Sequence, residues 1–180
     1  MISSEQVIAQ TKKWITDVVV GCNFCPFASN ELKQGTIRYV VELNTNLNAS
    51  LQIFIKECIF LDENGTTETT LIIFPDSFQQ FDDYLDLIDL AESLLKKEGY
   101  EGIYQVASFH PQYIFADAPI NDAANYSNRS VYPMLHILRE ESIEKALKKY
   151  PNPENIPQNN INFAREKGTA YMKMLRDACF

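Results

Sequence analysis

Three short runs rich in β-branched and aromatic residues, each separated from the next by a stretch of helical period, constrain this chain more than any other feature. Residues 36–43 (TIRYVVEL), 69–74 (TTLIIF) and 103–109 (IYQVASF) read as strands. Between them, Leu47, Leu51, Phe54, Ile55, Cys58 and Ile59 share one helical face, and so do Phe78, Phe81, Leu85, Ile88 and Leu95. This alternation predicts an α/β fold with right-handed crossovers, in which a three- or four-stranded, mostly parallel sheet is packed by helices. TTLIIF is almost continuously apolar, as a strand buried on both faces should be. MLHILR at 134–139 fits a fourth strand or the start of a helix. As a strand it would turn His136 away from Leu135 and Ile137, onto the face of Met134 and Leu138.

The flanks complete a single domain spanning 1–180. Residues 4–20 form an amphipathic helix through Val7, Thr11, Trp14, Ile15, Val18 and Val19, capped by Ser3 or Ser4 and stopped at Gly21. Residues 22–35 are a loop or short helix. Residues 110–133 lack a period and make a long loop of the kind that often carries function. Residues 142–150 are helical, PNPENIPQNN is a connector, and 159–177 form a last helix.

Hydrophobic residues make up 46% and charged residues 22%, which excludes a disordered or fibrous chain. The formal charge of −8 argues against nonspecific nucleic-acid binding, because such a chain repels phosphate backbones. The polar N-terminus lacks the apolar core of a signal peptide, and no apolar run approaches a membrane span. A cytoplasmic protein with reduced thiols is therefore expected, and no disulfide framework among Cys22, Cys25, Cys58 and Cys179.

GCNFCPFA, SFHPQYIFAD and NYSNRSVYPMLHILREES together resemble a bacterial family catalogued as domain of unknown function 1415, along nearly the whole chain. The resemblance implies that Cys25-Pro26-Phe27, His110-Pro111, Asn125, Asn128-Arg129-Ser130 and the stretch from Tyr132-Pro133 to Glu140 form the family's site. It implies no particular activity. The family pattern has an apolar residue in place of Cys22 and tends to proline in place of Val131.

The chemistry-bearing residues cluster. His110 and His136 are the only histidines, and Asp117, Asp122, Arg129, Arg139 and Glu140 lie in the same region. His110 follows the third strand, near where ligands bind in open α/β sheets, and is the first candidate for acid/base work. The plainer alternative is a structural His-Pro turn. His136 is a second catalytic candidate or a core histidine. Arg129 suits an anion contact, with Asn125, Asn128 and Ser130 orienting the substrate and Arg139 assisting. Alternatively Arg129 pairs with Asp117, Asp122 or Glu140 inside a structured turn, and Arg139 serves in an ion pair. His110, Asp117, Asp122 and His136 offer a weak metal-site pattern without compact spacing. Cys25 is a candidate nucleophile or an apolar filler, and Cys22 with Cys25 would be required for thiol-redox chemistry.

The residues favour an enzyme that hydrolyses or transfers a group on a small anionic metabolite, with His110 as acid/base and Arg129 as anion contact. The competing readings are a ligand-binding or regulatory module without turnover, and a thiol-redox protein. No glycine-rich nucleotide loop is present among the six glycines.

Overall fold

A computed structural model describes residues 2–180. Helix α1 (Ser4–Trp14) begins with a capping box: Ser3 Oγ accepts from the Gln6 amide while the Gln6 side chain accepts from the Ser3 amide. It runs on into a π-helical turn, Ile15–Val20. Gly21 closes this turn where only glycine fits, since a Cβ there would stand 2.3 Å from the Asp17 carbonyl oxygen. Then follow α2 (Ala28–Gln34), β1 (Ile37–Val41), α3 (Leu47–Glu63), β2 (Thr69–Ile73), α4 (Phe81–Lys97), β3 (Tyr104–Phe109), a 3-10 turn (Ala123–Ser127), β4 (Met134–Arg139), α5 (Glu140–Leu147), α6 (Ile156–Lys167) and α7 (Thr169–Asp177).

The four strands form one sheet in the order β1-β2-β4-β3. β1 and β2 are parallel, but β4 runs antiparallel to both β2 and β3. The sheet is therefore mixed, which corrects the expectation of a mostly parallel one. The reason lies in residues 110–133. A parallel neighbour needs a crossover along the sheet, usually a helix. Here the chain leaves β3, folds into a loop at that end, and re-enters from the same end. MLHILR is a strand, and it inserts into the centre of the sheet.

Two cores flank the sheet. α3 and α4 cover one face, where Phe54, Cys58, Leu61, Leu87 and Ala91 meet Ile72, Leu135 and Ile137. On the other face, α1, its π-turn, α6 and α7 bring Val7, Trp14, Val18, Ala164 and Met172 against Leu71, Ile73 and Met134. β2 is buried along its whole length between them, as its unbroken apolar run requires.

Two further boundaries differ from expectation. The last helix breaks at Gly168, whose φ of 80° and ψ of 158° no helix accommodates, so it becomes α6 and α7. α5 begins at Glu140, directly on the end of β4, rather than after a linker.

Candidate functional site

Residues of the second face share a register across the sheet: Tyr39, Leu71, His136 and Ala107 lie side by side, with Thr69 and Leu138 one step along. α1 and its π-turn cover part of this face, and α5 leans over the rest. The apolar side of α5 lies inward, yet none of its residues is fully buried. Beneath it lies a cavity of about 700 Å³, within the range of small-molecule sites. Trp14, Ile15, Val19, Leu71, Ala107 and Phe109 make it mostly apolar, and its polar lining includes Cys25, Glu31, Glu68, Thr69, His136 and Lys149, with Arg139, one of the anticipated ligand contacts, also at its wall. Phe27 and Tyr150 meet edge to face with ring centroids 5.9 Å apart, tying the α2 side of the cavity to the α5 side. Two of the lining residues come from the π-turn, an element that recurs at functional sites.

His136 is the chemically distinctive group. Its Nε2 lies 2.6 Å from Thr69 Oγ1, and that hydroxyl donates its single proton to the Ile137 carbonyl at 2.5 Å. The hydroxyl can therefore only accept from the ring, so His136 is the Nε2–H tautomer. Nδ1 keeps its lone pair and, among the described residues, has no partner. The ring lies deep under the helices yet retains accessible surface, which it owes to the cavity. Burial pushes its pKa down to about 4, so it is neutral at physiological pH.

Cys25 lines the same cavity and is a thiol. Burial pushes its pKa up, only partly opposed by the backbone amides of Phe27 and Ala28. Cys22 lies instead in the apolar core with Val18 and Phe24, and all four cysteines are free. Burial pushes the Cys22 thiol up as well, opposed in part by Lys167. Glu68 also faces this space and has one carboxylate oxygen buried without a hydrogen-bond partner.

His110 lies elsewhere and does not line the cavity. It is fully buried, tilted against the rings of Phe81 and Tyr84 of α4. Nε2 donates to the Phe78 carbonyl at 2.8 Å and Nδ1 accepts from the Gln112 amide at 3.0 Å. Both nitrogens are spent, and burial lowers its pKa. Phe78 has a φ of 56°, costly for an aromatic residue, and the bond from His110 holds it there.

The NYSNRS stretch is a scaffold. Asn125 is fully buried, accepts from the Phe115 amide and donates to the Pro119 carbonyl. Asn128 donates to the Ser108 carbonyl, and Ser130 to the Tyr132 carbonyl. Each of these three side chains is thus engaged with the backbone of the loop and its neighbours. Asp122 caps the 3-10 turn and pairs with Arg165 at 2.7 Å. Arg129 binds none of Asp117, Asp122 or Glu140. It donates to the carbonyls of Tyr113 and Ile120. Arg139 likewise forms no ion pair among the described residues. Its guanidinium crosses to the other face and donates to the Leu61 and Thr67 carbonyls, securing the end of α3. His110, Asp117, Asp122 and His136 do not converge, and no cluster of three metal-ligating side chains occurs among the described residues.

The loop nevertheless touches the cavity. The Trp14 indole N–H donates to the Arg129 carbonyl, 3.2 Å away, and the Trp14 ring meets Phe109 edge-on. The conspicuous sequence motif thus holds one wall of the site in place. A family model covers residues 6–174, nearly the whole chain. The chain belongs to the family described as "Protein of unknown function (DUF1415)". No curated protein and no solved structure matches it. The resemblance read from the sequence therefore holds, and the DUF1415 stretches GCNFCPFA and MLHILR meet at the cavity through Cys25 and His136. The DUF1415 stretches around His110 and Arg129 support it from outside.

The cavity is lined at the start of β2 by Glu68 and Thr69 and at the end of β4 by Leu138 and Arg139, whereas an open parallel sheet would place a ligand at the carboxyl ends of β1 to β3, of which only Phe109 of β3 takes part. Antiparallel β4 reverses that expectation, because its own carboxyl end delivers α5 there. Sequence reasoning missed Thr69 and Glu68. Their signal was a polar pair, Glu-Thr, at the start of an otherwise apolar buried strand. No helix among the described residues is long and apolar enough to cross a membrane.

Proposed function

We propose that this protein is an enzyme acting on a small amphipathic anionic metabolite held in the sheet-face cavity, with His136 as its proton-accepting group. The observation that carries this reading is the imidazole itself. A structural histidine spends both nitrogens, as His110 does, whereas His136 spends one and turns the other to a cavity. Thr69 is its positioning residue, fixing the tautomer that leaves Nδ1 basic. The apolar lining accepts the body of the ligand. Lys145 and Lys149 at the rim suit its anionic group, and the bare Glu68 oxygen suits a hydroxyl or amide donor on it.

An imidazole with a pKa of about 4 is a weak base at neutral pH. An anionic ligand beside it would raise that value towards neutrality, since a nearby negative charge favours the imidazolium. Occupancy by an anion would therefore prepare the base. The low pKa of the free protein also favours a second reading, a binding module in which Nδ1 only accepts a hydrogen bond.

Octanoate is a suitable probe, having an apolar chain and one carboxylate. Amide chemical shifts of Cys25, Ala107 and Ser142 should move saturably with octanoate, and His136→Gln should weaken binding roughly fivefold, the worth of about one hydrogen bond. Absence of saturable shifts at those residues would contradict both readings. Hydrolysis of p-nitrophenyl butyrate by the wild type, lost in His136→Gln, would decide for the enzyme. Binding without any His136-dependent turnover would decide for the module.

A further inference from the structure

We propose that a second, smaller pocket, between Arg129 and Arg176, is a binding site for an oxyanion, the phosphate or carboxylate group of a small molecule. The pocket measures about 280 Å³ and lies where the 110–133 loop meets α7; Pro111, Gln112, Tyr126, Arg129 and Arg176 line it. It shares no lining residue with the His136 cavity, so the proposal stands apart from the function proposed above.

Both guanidiniums lie against one ring. The Arg129 Cζ is 4.9 Å and the Arg176 Cζ 5.7 Å from the centroid of Tyr126. Arg176 is balanced by Asp177, with Nη2 2.6 Å from Oδ1. Arg129 is not balanced. Its Nε and Nη2 donate to the carbonyls of Tyr113 at 3.0 Å and Ile120 at 2.7 Å, which are neutral, and no carboxylate lies within 4.0 Å of it among the described residues.

Other arginines show what a satisfied guanidinium looks like in this chain. Arg38 binds Glu57 and Arg165 binds Asp122. Arg139 serves the carbonyls at the end of α3, where a helix favours a cation. Arg129 has the carbonyl bonds without a helix end. In a protein of net charge −8 that leaves acidic groups in excess, its unpaired charge is not explained by a shortage of partners. The two carbonyl bonds fix the plane of its guanidinium and leave Nη1 free among the described residues, so the fork is preorganised. Arg176 is fixed in the same way by its bond from Nη1 to the Pro111 carbonyl at 3.1 Å. An oxyanion between them would accept from both arginines and relieve the repulsion of two cations drawn to one ring.

The test uses the arginine Nε–Hε signals of the intact protein, titrated with inorganic phosphate at constant ionic strength against chloride. Malonate serves as the carboxylate arm. Saturable shifts of both Arg129 and Arg176 are expected with at least one of the two, and the arm that binds more tightly identifies the group recognised. Arg176→Gln should weaken that binding at least about tenfold. Unmoved Arg129 and Arg176 signals in the wild type with both anions would overturn the proposal, a result that does not depend on any variant folding. Unchanged affinity in a folded Arg176→Gln would overturn it too.

Discussion

Lowering the pH from about 6.5 to about 4 should remove about 3 kcal/mol of stability through His136 alone. The sign follows from burial. The folded ring resists a proton down to about pH 4, whereas the unfolded ring takes one near its ordinary value of 6.5. Across that interval the unfolded state holds more protons, so stability falls as the pH falls. His110 is shifted in the same direction, again by burial, and adds to the loss. The carboxyls of Asp122 and Asp177 contribute below this window, since Arg165 and the backbone hold the first under its usual range and Lys173 and Arg176 the second. Denaturant titrations at pH 7, 5.5 and 4.5 measure the effect. His136→Gln keeps a donor for Thr69 and cannot ionise, so its stability should fall much less over the same interval. Parallel curves for the variant and the wild type would show that the ring is not held neutral by burial.

The second large effect is expected at Asn125. Its side chain satisfies the Phe115 amide and the Pro119 carbonyl, in a site with no access to water. Asn125→Ala removes the buried partner of both backbone groups, at a cost of about 2–4 kcal/mol. For a domain of this size the melting temperature should drop by roughly 5–15 °C. The loop holds Arg129, whose carbonyl holds Trp14, so octanoate binding in the cavity should weaken as well. A melting temperature within about a degree of wild type would mean that the NYSNRS stretch is not the scaffold described.

The strands, the helices between them and the double-sided burial of β2 are all legible in the sequence, because each is written in a local period. The direction and position of β4 are not. MLHILR reads the same whether its neighbours are parallel or antiparallel, and only the path of residues 110–133 decides. The site divides in the same manner. Cys25 and His136 are recognisable as candidates by residue type, and the alternation of β4 places His136 on the correct face. His110 and Arg129 attract attention for the same reason, since a histidine and an arginine in a long loop look like chemistry. The His110 ring turns to a backbone carbonyl many residues away, at Phe78, and the carbonyls of Tyr113 and Ile120 orient the Arg129 guanidinium away from the His136 cavity. No local pattern records such bonds. The cavity under α5 was equally hidden. A helix of high amphipathicity normally announces a packed face, whereas this one covers open space.

The account rests on the state of one ring, and the nitrogen spectrum of the imidazoles reads it directly. In the free protein, long-range proton–nitrogen correlations should show His136 as the Nε2–H tautomer, with Nδ1 unprotonated at neutral pH and still so near pH 5. Addition of octanoate should shift the Nδ1 resonance and raise the pKa of the ring, while His110 stays unchanged. A proton on Nδ1, a titration near the ordinary histidine value, or an Nδ1 signal indifferent to octanoate would contradict the assignment of His136 as the working group.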